Sequence, residues 1–276
     1  MLAPGLLTLF LERRHGDLGA QLRKLELPVL GTVPEITPDA GLERLSSGGR
    51  ARAAGGGGFQ NTLRINLEHL LPEKGRSRVL LFTGANRKAG TSTVISAAAL
   101  ALAENGGKVL LVDGNLRKPD IHRIFHLDNS TGLTDLLNGD RGFDALVHRN
   151  AGVPGLDVLT GGTAPGASGE LLNSPRLEEL LRAEAPHYRY ILVDSPAAPG
   201  IADPVILGKL ADAALLVGDC RKAGVAGLRA LSARLLQAGV PCGGVILNYF
   251  RRRRSGVPGA DGEYDYHYRF RRIADD

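Results

Sequence analysis

Gly84-Ala85-Asn86-Arg87-Lys88-Ala89-Gly90-Thr91-Ser92 stands between an apolar run, Val79-Leu80-Leu81-Phe82, and an Ala- and Leu-rich stretch, Ser92 to Ala103, that reads as a helix. Strand, glycine-containing loop and helix in that order form a phosphate cradle. The loop's backbone N–H groups and the helix N-terminus present partial positive charge to phosphate oxygens, and a Ser or Thr hydroxyl holds magnesium. One part is exchanged: Thr91 occupies the place of the lysine that normally neutralises the terminal phosphates. Lys88, inside the loop, is the candidate substitute cation. A dinucleotide-binding domain would need G-x-G-x-x-G, which this loop lacks.

Working outward, apolar runs Val79 to Thr83, Val109 to Asp113, Tyr190 to Asp194 and Ala214 to Gly218 alternate with helical segments, and Gly244 to Leu247 makes a fifth. Continuous rather than alternating apolar character predicts strands buried on both faces. The expected fold is therefore α/β, a mostly parallel central sheet with helices on both faces. Phe59 to Leu71 and Glu170 to Ala183 read as helices, and Leu27 to Pro34 as a short proline-bounded strand. Between the second and third runs lies an insertion holding Gly132 to Leu137 and Leu156 to Leu159.

The chain divides into three parts. Residues 1–57 are an N-terminal segment ending in a Gly-, Ala-, Ser- and Arg-rich linker from Ser46 to Gly58; residues 58–250 are the folded domain; residues 251–276 are a basic tail containing tyrosines. With 276 residues, 43% hydrophobic and 23% charged, the composition suits one soluble domain with appendages. The apolar stretch Leu2 to Leu11 has only half the ~20 residues needed to cross a bilayer. Cys220 and Cys242 have neither metal nor redox spacing and read as reduced core residues. His122 and His126 are spaced like a metal pair but lack accompanying carboxylates or thiols, which favours a surface helix.

Ligands in open parallel sheets sit at the carboxyl ends of the strands. Asp113 ends one strand, Asn115 follows it, and Asp194 ends another. Together with Gly90, Thr91, Ser92 and Thr93 they flank a phosphate cradle with two carboxylates, as a magnesium nucleotide requires.

These residues resemble the bacterial tyrosine autokinases of capsule and exopolysaccharide export (the Wzc/CapB/CpsD type), a branch of the MinD/ParA-like P-loop ATPases. The family's phosphate loop, S-A-x-P-G-E-G-K-S-T, is matched by Gly84 to Thr93, with Lys88 at the usual Gly, Ala89 at the usual Glu and Thr91 at the Lys. Its D-x-D-L-R-R-P is matched by Asp113 to Pro119, with Asn115 at the second acid, and its D-[ST]-P by Asp194-Ser195-Pro196. Leu27 to Pro34, Gly132 to Leu137, Glu170 to Leu172, Asp203 and Leu247-Asn248 also agree. The resemblance covers about residues 20 to 250 and the tail.

It implies ATP and Mg as cofactors, with Ser92, Asp113 and Asp194 holding the metal, Asp113 and Asp194 catalytic, and Lys88 and Asn248 near the nucleotide. Tyr264, Tyr266 and Tyr268 match the family's phosphoacceptor cluster. A helix motif that builds a ring of subunits keeps only Arg64, with Gly58 and Asn61 at its other places, so any homo-oligomer is expected to be weakened. The implied partner is a transmembrane polysaccharide co-polymerase at the inner face of the bacterial membrane; nucleic acid is not expected. Residues Leu6 to Arg14 resemble the end of a transmembrane helix in longer members, which makes Met1 either the start of a detached cytoplasmic half or a shortened reading of a longer chain.

Loss of the lysine and of the second acid predicts weak or lost phosphoryl transfer with a regulatory docking role in chain-length control. The alternatives are an active autokinase acting on its own C-terminal tyrosines, and a ParA/MinD-type ATPase. The latter usually shows an additional lysine early in the loop, where Asn86 sits.

Overall fold

The apolar runs become neighbouring strands of one sheet in the computed structural model, which describes residues 26–35, 58–70, 77–163, 168–197, 200–221 and 225–250. In chain order the strands are β1 (Val29–Pro34), β2 (Arg78–Gly84), β3 (Val109–Asp113), β4 (Leu156–Leu159), β5 (Tyr190–Asp194), β6 (Ala213–Asp219) and β7 (Cys242–Phe250). They lie side by side as β1-β7-β6-β2-β5-β3-β4. Every ladder is parallel, so the sheet is more uniform than "mostly parallel". Among the described residues a single isolated bridge, His148 to Val158, runs antiparallel.

Helices α1 (Gly58–Leu70), α2 (Thr91–Glu104), α3 (Ile121–Phe125), α4 (Leu133–Asn138), α5 (Ser168–Leu172), α6 (Pro175–Glu184), α7 (Asp203–Gly208) and α8 (Val225–Gln237) cover both faces. Alternation along the strands sorts the core into two layers. Leu80, Phe82, Val109 and Leu111 join α1, α2 and α3 on one side, while Leu81, Leu110, Val112 and Val193 join α4, α6, α7 and α8 on the other. The alanines of α2 let that helix lie close to the sheet, and Ala97, Ala98 and Ala99 are fully buried.

Three readings change. Leu156 to Leu159, left without assigned structure in the insertion, is edge strand β4; its charged Asp157 breaks the apolar run that identified the others. The stretch read as one helix from Glu170 to Ala183 is two, α5 and α6. Pro175 cannot continue a helix from within, and it starts α6 instead, with Ser174 as N-cap accepting the Arg176 N–H. The cysteines are free and half-buried at the margin of the second layer rather than inside it. His122 sits on α3, whereas His126 ends it in a left-handed conformation at φ 54°. On α1, the retained Arg64 is engaged within its own helix, donating to Glu68 at 2.7 Å and Asn61 at 2.8 Å.

The N-terminal segment before residue 26, most of the linker and the whole tail, including Tyr264, Tyr266 and Tyr268, lie outside the described residues. No described helix is long and apolar enough to cross a membrane.

Candidate functional site

Central strand β2 feeds the loop into α2, and β5 and β6 flank it, so the loop lies over the carboxyl ends of the sheet. The Ala89 N–H bonds the Asn86 carbonyl at 3.2 Å, closing a four-residue turn, Asn86-Arg87-Lys88-Ala89. Lys88, third in that turn, has φ 63°, while Arg87 is not left-handed. This sign pattern is that of a type II turn, which prefers Pro then Gly at its centre. The left-handed backbone costs a non-glycine residue roughly 1–2 kcal/mol. Gly90, the N-cap of α2, has φ 79°, and a Cβ there would come within 2.2 Å of the Asn248 amide nitrogen. A side chain is excluded at that position on both counts.

Thr91 opens α2 and is buried, and its hydroxyl has no hydrogen-bond partner. It points beneath the loop toward Gly84, where an added Cβ would lie 2.7 Å from the Thr91 Oγ1 and 2.5 Å from the Ala197 methyl. Ser92 donates to Asp194 Oδ2 at 2.6 Å. Thr93 is half-buried in the same first turn.

Asp113 and Asp194 are register partners on adjacent strands β3 and β5, both fully buried. Asp113 accepts backbone N–H groups from Asn115 at 3.2 Å, Asp120 at 3.0 Å and Ile121 at 3.1 Å. Burial pushes its carboxyl up to about 7 against the pull of those three donors, with the Asp120 charge adding to the rise. Burial, and then the Asp113 charge, hold the Asp194 carboxyl well above the ordinary range despite the bonds from Ser92 and Ser195. Two neighbouring buried carboxylates ionise together only beside a cation. Asp194 Oδ1 and the Ser195 hydroxyl are buried without partners. Among the described residues no group of three or more His, Cys, Asp or Glu side chains could hold a metal. A hydroxyl and a carboxylate completed by phosphate and water oxygens nevertheless form a suitable donor set for Mg.

Asn115 stands where the second acid would be and shapes the turn after β3, its side-chain oxygen accepting the Lys118 N–H at 3.3 Å. Asn248, near the end of β7, donates to the Ala89 carbonyl at 2.8 Å and accepts the Tyr249 N–H at 2.8 Å. Its carboxamide thus braces the loop.

Beyond the candidate site residues, two arginine–aspartate pairs are formed. The Arg117 guanidinium grips buried Asp203 through two bonds, 2.8 and 3.0 Å. Arg221 is held by Asp219 through Nε and Nη2, both at 3.0 Å, and its guanidinium stacks 3.3 Å from the centre of the Tyr249 ring. The Tyr249 hydroxyl lies beside Gly90. Asp219 closes β6 as Asp113 and Asp194 close their strands, so the strand-end argument could have found it. Nothing in the sequence signals the stacking of Arg221 on Tyr249.

No protein-family profile matches the chain. The tyrosine-protein kinase Etk of Escherichia coli K12 is 32% identical over 193 residues, which is 70% of this chain and 26% of Etk. YwqD, a tyrosine-protein kinase of Bacillus subtilis, is 36% identical over 156 residues, 56% of this chain and 65% of that one. The chain spans about a quarter of the length of relatives such as Etk. Among solved structures, the kinase domain of Etk superposes with TM-score 0.76 at 27% identity, covering 91% of this chain and 98% of that domain. The VpsO kinase domain is 32% identical with TM-score 0.60, covering 63% of this chain and 86% of that domain. Sequence identity above 30% to named tyrosine-protein kinases and superposition on their kinase domains lead to one conclusion: the chain belongs to the bacterial tyrosine-protein kinases built on the P-loop ATPase fold.

Proposed function

We propose that this domain binds a magnesium nucleotide and acts in capsule or exopolysaccharide export as a regulatory member of its family, with weak or lost phosphoryl transfer. The Ser92–Asp194 bond beside the unpartnered Asp194 Oδ1, with a buried neutral Thr91 where a cation belongs, carries this reading. Ser92 and Asp194 would hold Mg, Asp113 would set the shape and charge around it, and the loop amides and Thr93 would face the phosphates. Bound Mg supplies charge neutralisation at the terminal phosphates. Phosphoryl transfer rests on positioning and charge, so a site lacking the lysine keeps its walls but loses a principal source of rate. A docking role would place the domain against a transmembrane co-polymerase at the cytoplasmic face of the membrane, where chain length is controlled.

Calorimetric titration with Mg·ATP, joined to phosphotyrosine detection on the same protein, tests this. The wild type should bind without acquiring phosphotyrosine, and Thr91→Lys should bind about tenfold more tightly or better. Strong autophosphorylation of the wild type, abolished by Asp194→Ala, would instead establish the second reading, an autokinase acting on Tyr264, Tyr266 or Tyr268. Similarity to relatives named tyrosine-protein kinases is what favours that alternative.

A further inference from the structure

The loop's positive charge has changed place. Where the family pattern P-G-E-G-K sets Pro and Gly at the centre of the turn and Lys at the start of the helix, this chain sets Arg87 and Lys88 in the turn and Thr91 at the helix. Pro and Gly are the residues a type II turn prefers at those two positions, because one presets φ and the other accepts positive φ. The turn is nevertheless retained, with the Ala89 to Asn86 hydrogen bond made and Lys88 at φ 63°. A strained backbone at a ligand loop points to a use for the side chain it carries. Lys88 is exposed, and among the described residues its ammonium has no hydrogen-bond or ion-pair partner. At the start of α2 and the end of β5, the Thr91 hydroxyl, Asp194 Oδ1 and the Ser195 hydroxyl are buried and unpartnered, polar groups of the kind a polar ligand satisfies.

The geometry points to Lys88 as the relocated phosphate-binding cation, reaching the terminal phosphates of a nucleoside di- or triphosphate from the turn rather than from the first turn of α2. Only two residues, Ala89 and Gly90, separate Lys88 from Thr91, and the four-carbon stem of a lysine is flexible enough to swing its ammonium toward the phosphate cradle. An ammonium arriving from the turn can hold the phosphates, but it does not follow the path of a helix-anchored lysine. Binding is thereby separated from efficient transfer.

This inference rests on the nucleotide-binding reading, and Lys88→Gly tests it on the full chain. The substitution removes the charge while giving the turn the residue it prefers, so loss of folding does not confound the result. The variant should melt at or above the wild-type temperature. Titrated with Mg·ADP and Mg·ATP, it should bind about tenfold more weakly or worse, Lys88→Arg should stay within about threefold of wild type, and Thr91→Lys added to Lys88→Gly should restore affinity. Equal affinity of Lys88→Gly and wild type would overturn the relocation and leave nucleotide binding standing. Absence of binding by the wild type would remove both.

Discussion

Asn248 uses both ends of its carboxamide on backbone, holding the Ala89 carbonyl with one and the Tyr249 N–H with the other. The loop is therefore fastened to β7 before any ligand arrives. Asn248→Ala would leave the buried Ala89 carbonyl without its side-chain donor, a loss of about 1–2 kcal/mol on denaturant unfolding. The same change should loosen nucleotide binding, since the cradle would no longer be held in shape. At this scale the positions of the motif residues were legible because chemistry fixes their types: an acid at a strand end, a glycine where φ is positive. What each side chain does was less legible. Asp113 meets three backbone donors and Asn248 braces a loop, and both roles depend on neighbours that sequence spacing does not name.

Among the elements, β4 shows what a charged residue does to an edge strand. Asp157 is buried there, accepting Arg149 Nη1 at 2.8 Å, the Tyr188 hydroxyl at 2.7 Å and the Asn150 N–H at 2.9 Å. Burial alone would raise its carboxyl, but Arg149, followed by the Asn150 and Tyr188 bonds, outweighs burial and holds it below the ordinary range. A carboxylate depressed in the folded state stabilises above its unfolded value, about 4, and that contribution disappears as pH falls through the depressed value. Asp157→Asn should therefore cost about 1–2 kcal/mol at neutral pH, kept low because Arg149 is half exposed, and should flatten the acid limb of the stability curve below about pH 4. Chemical unfolding across pH 2–7 in wild type and variant reads the difference. This arrangement also explains why β4 escaped sequence reading. Strands β3, β5 and β6 are apolar up to the aspartate that closes each, whereas β4, equally buried, carries its acid within the run, held by partners 8 and 31 residues away. The α5–α6 break was written in the sequence at Ser174-Pro175, but the helical periodicity on either side obscured it.

For the whole molecule, a ligand that binds only the folded state raises stability by an amount set by its concentration over Kd, about 2.7 kcal/mol at a hundredfold excess. Mg·ADP should thus raise the melting temperature of the wild type, and chelation of the metal should reverse most of the rise. Asp194→Ala should respond little to the metal, since the proposed function gives the metal to this buried carboxylate beside Ser92. A metal response unchanged in that variant would locate the cation elsewhere. The parallel direction of the sheet was readable from its apolar runs, but the neighbour order was not, because β1 comes from beyond the linker to pair with β7.

That pairing and the uniform strand direction also fix where the chain leaves the domain. Strand β7 ends at Phe250 on the same side of the sheet as the phosphate loop, to which Asn248 is already fastened. Tyr264 lies 14 residues further on, a tether of at most about 50 Å at full extension. Its root is therefore beside the phosphate loop, and its length caps how far from Phe250 Tyr264 can lie. Encounter of a tail tyrosine with its own pocket would be a first-order event, with a rate per molecule unchanged by dilution, whereas exchange between separate copies would slow in proportion.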